Sequence, residues 1–399
     1  MGRITSVAES PSGAGTQCRA AATVTRNFAY DSVGRLQSVV EGGTTRRYCY
    51  DPNGNRLDVM ADLVTPCPSV VTAPNVYTEQ DRLLQYGTMR FGYNASGQLQ
   101  TKTGAGGTTT FEYDEFTNLT HVDLPGGTTN EIEHIIDGQQ RRVGKRVSGV
   151  LERRWLYRDQ LNPVVEYDSG GNLTQFVYAT KPHVPDYMRK GGINYLLVTD
   201  HIGSVRLVVN ATTGQVAQRL DYDEFGNVLS DSNAGFQPFG FAGGLYDPDT
   251  GLVRFGARDY DSEVGRWTAK DPILFGGGQG NLYLYVGNDP VNWIDPEGTS
   301  WARAVIAGGA ALGRLLAKYG AKAWKAVKRF WRDLDFDGPS PGLRHGNGRV
   351  CQVRYKKKPV ARLDYHPYPG TNGESRLHGH FGQGESGHVP LDPRSWWDG

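Results

Sequence analysis

The chain has 399 residues with 53 Gly, 21 Tyr and 38% hydrophobic residues, a composition of many short strands and turns in two or three domains rather than helical layers. Its net charge of +1 conceals an asymmetry: residues 299–399 carry 17 Lys/Arg against 8 Asp/Glu, a net +9, which leaves residues 1–298 at −8. No run of about 18 apolar residues occurs, and Met1-Gly2-Arg3-Ile4-Thr5 lacks an apolar signal core, so neither a membrane-spanning helix nor a classical signal peptide is expected. Cys18, Cys49, Cys67 and Cys351 show no metal-binding spacing and say little about redox compartment.

In chain order, the first signal is a repeat. Tyr30-Asp31-Ser32-Val33-Gly34-Arg35-Leu36 recurs as Tyr50 to Leu57, Tyr93 to Leu99 and Tyr113 to Leu119, with degenerate copies at Tyr167 to Leu173 and Tyr222 to Leu229. Tyr30 to Tyr50 and Tyr93 to Tyr113 are both 20 residues apart, the length of two strands with turns. An aromatic strand meets a turn in which Asp bonds the backbone ahead and Gly or Asn takes positive φ. Leu then opens the next strand, with alternation as in Leu36-Gln37-Ser38-Val39. One hairpin cannot bury its apolar face alone, so the copies are expected to join into a continuous sheet. Tyr and Asp are structural on this reading, not catalytic.

These copies resemble the YD repeats of Rhs proteins, of the C components of insecticidal toxin complexes and of teneurins, over roughly residues 20–298. The resemblance implies a spiralling β-sheet that winds into a hollow shell. A complete shell uses many more repeats, so the chain is expected to represent the C-terminal part of a longer one or a truncated orphan. The fold class expected is mainly β: a YD-repeat shell segment (1–229), an Rhs-associated core (230–298), a basic helical connector (299–337) and a small α+β C-terminal domain (338–399).

Within the core, Gly251 to Asp261 followed by Gly265-Arg266-Trp267 resembles the Rhs core motif. Arg254, Arg258 and Arg266 alternate with aromatics there, which suits cation–π and carboxylate pairing in a β-rich wall. Two Asp-Pro boxes follow, Asp271-Pro272 and Asp295-Pro296-Glu297-Gly298. As residues alone they read as turns or as a carboxylate pair sharing a proton, one acid and one base, able to activate water against a peptide bond. Pro290 to Gly298 matches the family's self-cleavage motif P-x-x-x-x-D-P-x-G-L except at its last position, where Thr299 replaces Leu; the first box has Leu274 where many relatives have Gly. The resemblance implies Asp271 and Asp295 as the dyad and Thr299-Ser300 as the scissile bond.

From Trp301 to Arg332 there are eight basic residues and no acidic one, with an apolar face from Val305 to Leu334 at helical spacing. That pattern suits a helix packed on its own domain, one docked against an acidic shell interior, or one for the membrane surface or translocation. Beyond the linker Asp337 to Gly342, residues 338–399 hold five of the nine histidines. Val350 to Tyr355 and Val360 to Tyr365 read as a hairpin, with His378-Gly379-His380-Phe381 as a third strand. Histidine and arginine on a basic sheet suit metal-free RNA cleavage, with His366, His378, His380 and His388 as acid–base candidates and Arg362 and Arg376 as phosphate clamps. Alternatively His378 and His380, with His388 or Asp364, hold a divalent metal. In the family the segment after the core is the variable toxin tip, which implies an effector delivered to competing cells by a dedicated secretion system or adaptor, and a cognate immunity protein. The rival readings are a metal-dependent nuclease or hydrolase tip, a membrane-active tip, and a non-enzymatic cell-surface or carbohydrate-binding protein. RNA or DNA is the target expected of the tail.

Overall fold

The computed structural model describes residues 3–9, 24–68, 75–126 and 131–299, and beyond them the backbone of 302–303, 334–337, 348–355, 358–367, 375–381 and 388–390. The chain divides into two compact units, Met1–Arg314 and Leu315–Gly399.

In the first unit the repeats form two antiparallel sheets in strict sequence order. Five strands run from Ser6–Glu9 to Arg56–Met60, and sixteen run from Val76–Tyr77 to Val228–Asp231. The ladder expected to be continuous breaks between Met60 and Val76. Pro66 and Pro68 lie in that interval and have no N–H to give a neighbouring strand.

The turn chemistry repeats as anticipated. Asp31 Oδ1 accepts the N–H groups of Val33, Gly34 and Arg35, while Asp31 N–H bonds the Arg35 carbonyl. Asp51 with Asn55, Asp114 with Asn118, Asp168 with Asn172 and Asp223 with Asn227 close the same way. Most of the repeat turns lie next to a bulge at the repeat aromatic: the register shifts at Ala29/Tyr30, Cys49/Tyr50, Gly92/Tyr93, Glu112/Tyr113 and Asp221/Tyr222, whereas Tyr167 pairs with Leu173 without a shift. The aromatic then staples neighbouring repeats. Tyr50 donates to the Leu36 carbonyl at 2.8 Å, Tyr157 to Arg142 at 2.9 Å and Tyr178 to Pro163 at 2.9 Å. A guanidinium covers each of these rings: Arg35 over Tyr50, Arg141 over Tyr157, Arg158 over Tyr178.

Residues 236–298 pack on the sheets instead of extending them. Leu245–Tyr246, Leu252–Phe255, Arg258–Asp261 and Arg266–Trp267 make a small four-stranded sheet. Its aromatics Phe255, Tyr260 and Trp267 pack with Phe241 and with Tyr285 from the following segment into the main core beside Val205, Val208 and Leu220 of the long sheet. Gly226, at φ 91°, lets the turn pass Phe241, whose ring carbon would lie 2.4 Å from any Cβ there. Polar ties reach the most distant repeats: Arg266 donates to Asn55 at 2.9 Å and Tyr283 to the Gly97 carbonyl at 2.7 Å.

In the second unit five strands form one antiparallel sheet in sequence order, Leu334–Asp337, Gly348–Tyr355, Lys358–Pro367, Ser375–Phe381 and His388–Pro390. The expected hairpin and third strand are present. The expected connector helix fares differently. Residues 304–333 lie outside the described residues, but at its ends Ala302–Arg303 is extended and paired with Trp293–Ile294, and Leu334–Asp337 is a strand. Among the described residues no helix is long and apolar enough to cross a membrane.

Candidate self-cleavage site

Arg258 brings the two Asp-Pro boxes together. It projects from the strand Arg258–Asp261, is 2% exposed, and lies over the Trp267 ring at 4.1 Å from the ring centre. One of its nitrogens, Nη2, pairs with Asp271 Oδ2 at 2.8 Å and Asp295 Oδ2 at 3.3 Å. Its Nε donates to the Gly298 carbonyl at 2.5 Å and its Nη1 to the Leu282 carbonyl at 3.2 Å. All five donors of a guanidinium are fixed in one plane, so these contacts set the relative position of three chain segments.

The turn that carries the second aspartate is held just as closely. Gly298 N–H bonds the Asp295 carbonyl, and Thr299 N–H donates to Asp295 Oδ1 at 3.1 Å. Ala257 N–H bonds the Glu297 carbonyl at 2.9 Å. Asp271 Oδ1 caps its own turn through Ile273 N–H at 3.0 Å, which leaves Oδ2 for the site. A Cβ on Gly277 would stand 2.8 Å from both Asp271 Oδ2 and the Thr299 carbonyl oxygen, so glycine there lets these two oxygens share one small space.

Burial pushes the Asp271 carboxyl up from its ordinary range, against the pull of Arg258. The same burial pulls the Arg258 guanidinium down, against the attraction of Asp271 and Asp295. The arrangement sets a carboxyl that gives up its proton less readily than usual beside a carbonyl oxygen, with a second carboxyl group on the same turn. It differs from a pair that shares one proton directly, because a guanidinium lies between the two acids. Arg258, read from the sequence only as a wall residue, is what bridges them.

Arg254 and Arg266 do pair as their alternation suggested. Arg254 bonds Asp259 at 2.9 Å, and Arg266 lies over Tyr77 and Tyr283. Asp271, Asp295 and Thr299 are thus brought together, while Ser300 lies outside the described residues. In the second unit the backbone register pairs Arg362 with His380, Asp364 with His378, His366 with Arg376, and His380 with His388. Alternation along each strand therefore assigns these positions, which include every acid–base and clamp candidate of the tail, to one face of the sheet.

The profile of the teneurin YD-shell family matches residues 14–291. The chain belongs to that family. Mouse teneurin-3 is 32% identical over 283 residues, covering 67% of this YD-shell chain and 10% of that protein. A double-stranded DNA deaminase toxin A from Burkholderia cenocepacia (strain H111) is 29% identical over 330 residues, covering 70% of this chain and 23% of the toxin. The YD-shell chain thus spans about a tenth of the length of the teneurins it matches. Among solved structures, the crystal structure of TcdB2-TccC3-Cdc42 aligns at TM-score 0.40 and 17% identity, over 69% of this chain and 18% of that one.

Proposed function

We propose that this chain is a segment of an Rhs-type toxin, in which a YD-repeat shell segment cuts itself from the effector that follows it between Thr299 and Ser300. The observation that carries the reading is Arg258, which pairs with both Asp271 and Asp295 and donates to the Gly298 carbonyl beside Thr299. In the proposed step Asp295 takes a proton from water as the water oxygen attacks the Thr299 carbonyl carbon. Protonated Asp271 gives its proton to the carbonyl oxygen. When the tetrahedral intermediate collapses, Asp295 passes the proton it took to the leaving nitrogen as the Thr299–Ser300 C–N bond breaks, and Asp271 takes a proton back from one of the two hydroxyls, so Thr299 ends as a carboxyl group, Ser300 as an amine, and both acids return to their starting states. Arg258 touches both acids and the neighbouring carbonyl; it positions the turn and offsets charge on the dyad.

The effector is proposed to act on nucleic acid as a metal-independent RNase. What supports this is the shared face of His366, His378, His380, His388, Arg362 and Arg376, and the +9 charge of residues 299–399, which suits a polyanion. That a relative sharing the shell segment is a toxin supports the toxin reading. The immunity partner proposed for it is small and acidic, complementary to the tail. Producing residues 299–399 in bacteria is expected to arrest growth with loss of cellular RNA, and His378→Ala or His380→Ala to relieve it. Arrest with rapid depolarisation and intact nucleic acid favours a membrane-active tip, RNA cleavage that stops with chelator favours metal ligation by His378, His380 and His388, and harmless expression of a folded tail refutes the effector reading.

A further inference from the structure

Away from the dyad, a pocket of about 30 Å³ is lined by Arg142, Tyr157, His183, Arg254 and Pro296, with the exposed Gln160 at its rim. No carboxylate lines it. Arg142 and Arg254 are both buried, and they share a single counter-charge: Asp259 accepts from Arg142 at 2.9 Å through one oxygen and from Arg254 at 2.9 Å through the other. The neighbouring Arg141 is already answered by Asp137 at 2.7 Å. Two buried guanidiniums against one carboxylate leave a net positive charge, which is costly in a low-dielectric interior unless something of opposite sign approaches.

Three donors are left over at the same place. Nε of Arg142, Nε of Arg254 and Nε2 of His183 are buried with no hydrogen-bond partner. Buried donors are nearly always satisfied, by protein, water or ligand, so three around one pocket ask for an acceptor. Burial first, and then the charge of Lys181, hold the His183 imidazole down at about 4, so it is neutral near pH 7 and can carry its one proton on Nε2.

We propose that this pocket binds one small monovalent anion, a halide or the carboxylate head of a small acid, held by the Nε donors of Arg142 and Arg254 and by Nε2 of His183. At about 30 Å³ the space exceeds the roughly 10–15 Å³ that one water needs, so it admits a single small ion. The site is distinct from the Asp271–Asp295 pair, although Pro296 lines it and follows Asp295 directly.

The test uses the full chain. Crystals soaked in bromide are expected to show an anomalous peak within hydrogen-bonding reach of both Nε atoms. Thermal unfolding in chloride or acetate, against gluconate at equal ionic strength, is expected to show a saturable rise in Tm of about 3 °C for a millimolar site. Arg142→Gln is expected to abolish the anion dependence, and His183→Ala, which leaves the Asp259 pairs intact, to weaken it. Stabilisation by acetate without a bromide peak assigns the site to carboxylates. Water alone in the bromide-soaked pocket together with equal Tm in all three salts overturns the proposal.

Discussion

Asp259→Asn is the sharpest perturbation of the packing between repeats and junction. The Asp259 carboxylate is 1% exposed and each oxygen accepts one buried guanidinium, Arg142 from the long sheet and Arg254 from the junction. An asparagine keeps one acceptor and turns an NH2 group toward the other guanidinium. Breaking a buried ion pair by removing one partner costs about 3–5 kcal/mol. Here the lost charge also leaves Arg142 and Arg254 facing each other, and burial first, then the charge of Arg142, already pull the Arg254 guanidinium down. We expect a loss of about 4 kcal/mol, a large part of the roughly 5–15 kcal/mol that stabilises a folded domain. Urea unfolding followed by tryptophan fluorescence reads it, since Trp155 and Trp267 are buried in this unit. Arg142→Met added to Asp259→Asn is expected to restore part of the loss by removing one unmatched charge. A single variant within about 1 kcal/mol of the parent, or a double variant no better than the single, refutes the account of this cluster.

Two further outcomes concern chemistry and redox state. Because burial raises the Asp271 carboxyl, its protonated form persists above the ordinary carboxylate range, and self-cleavage is expected to be fastest on the acid side of neutrality. Above that raised pKa the rate should fall about tenfold per pH unit; a time course of fragment formation by gel measures it, and a rate that climbs toward alkaline pH contradicts the assignment of Asp271 as the acid. Cys49 and Cys67 form a disulfide across 18 residues. Loop-closure entropy for that separation is worth about 3 kcal/mol, so reduction should lower the urea midpoint of the oxidised chain, and Cys67→Ser should remove the response to reductant.

The repeat turns were legible because their chemistry is local: Asp31 finds its partners within four residues. Copies at Asp137 and Asp200 are masked in the sequence because Ile136 and Thr199 stand where the aromatic is expected, yet both turns close through the same carboxylate oxygen. Gln140 even supplies the positive φ, at 63°, that glycine gives elsewhere. The disulfide was not legible, since pairing depends on how residues 51–66 return Cys67 to within a Cα distance of 5.5 Å of Cys49. The two aspartates could be picked out only through a family motif. What binds them, Arg258, comes from a third segment 13 residues before Asp271, and no spacing rule joins the three. The connector shows the limit of periodicity: Leu334 fits the helical apolar stripe, but the strand opposite it, Gly348–Tyr355, decides its conformation.

The central claim is that the junction cuts the chain, and intact-mass spectrometry of the purified protein addresses it most directly. The account predicts two products, one ending at Thr299 and one beginning at Ser300, and a single uncut chain for Asp295→Asn. A wild-type chain that stays whole after prolonged incubation at mildly acidic pH, or an Asp295→Asn chain cut at the same bond, contradicts it.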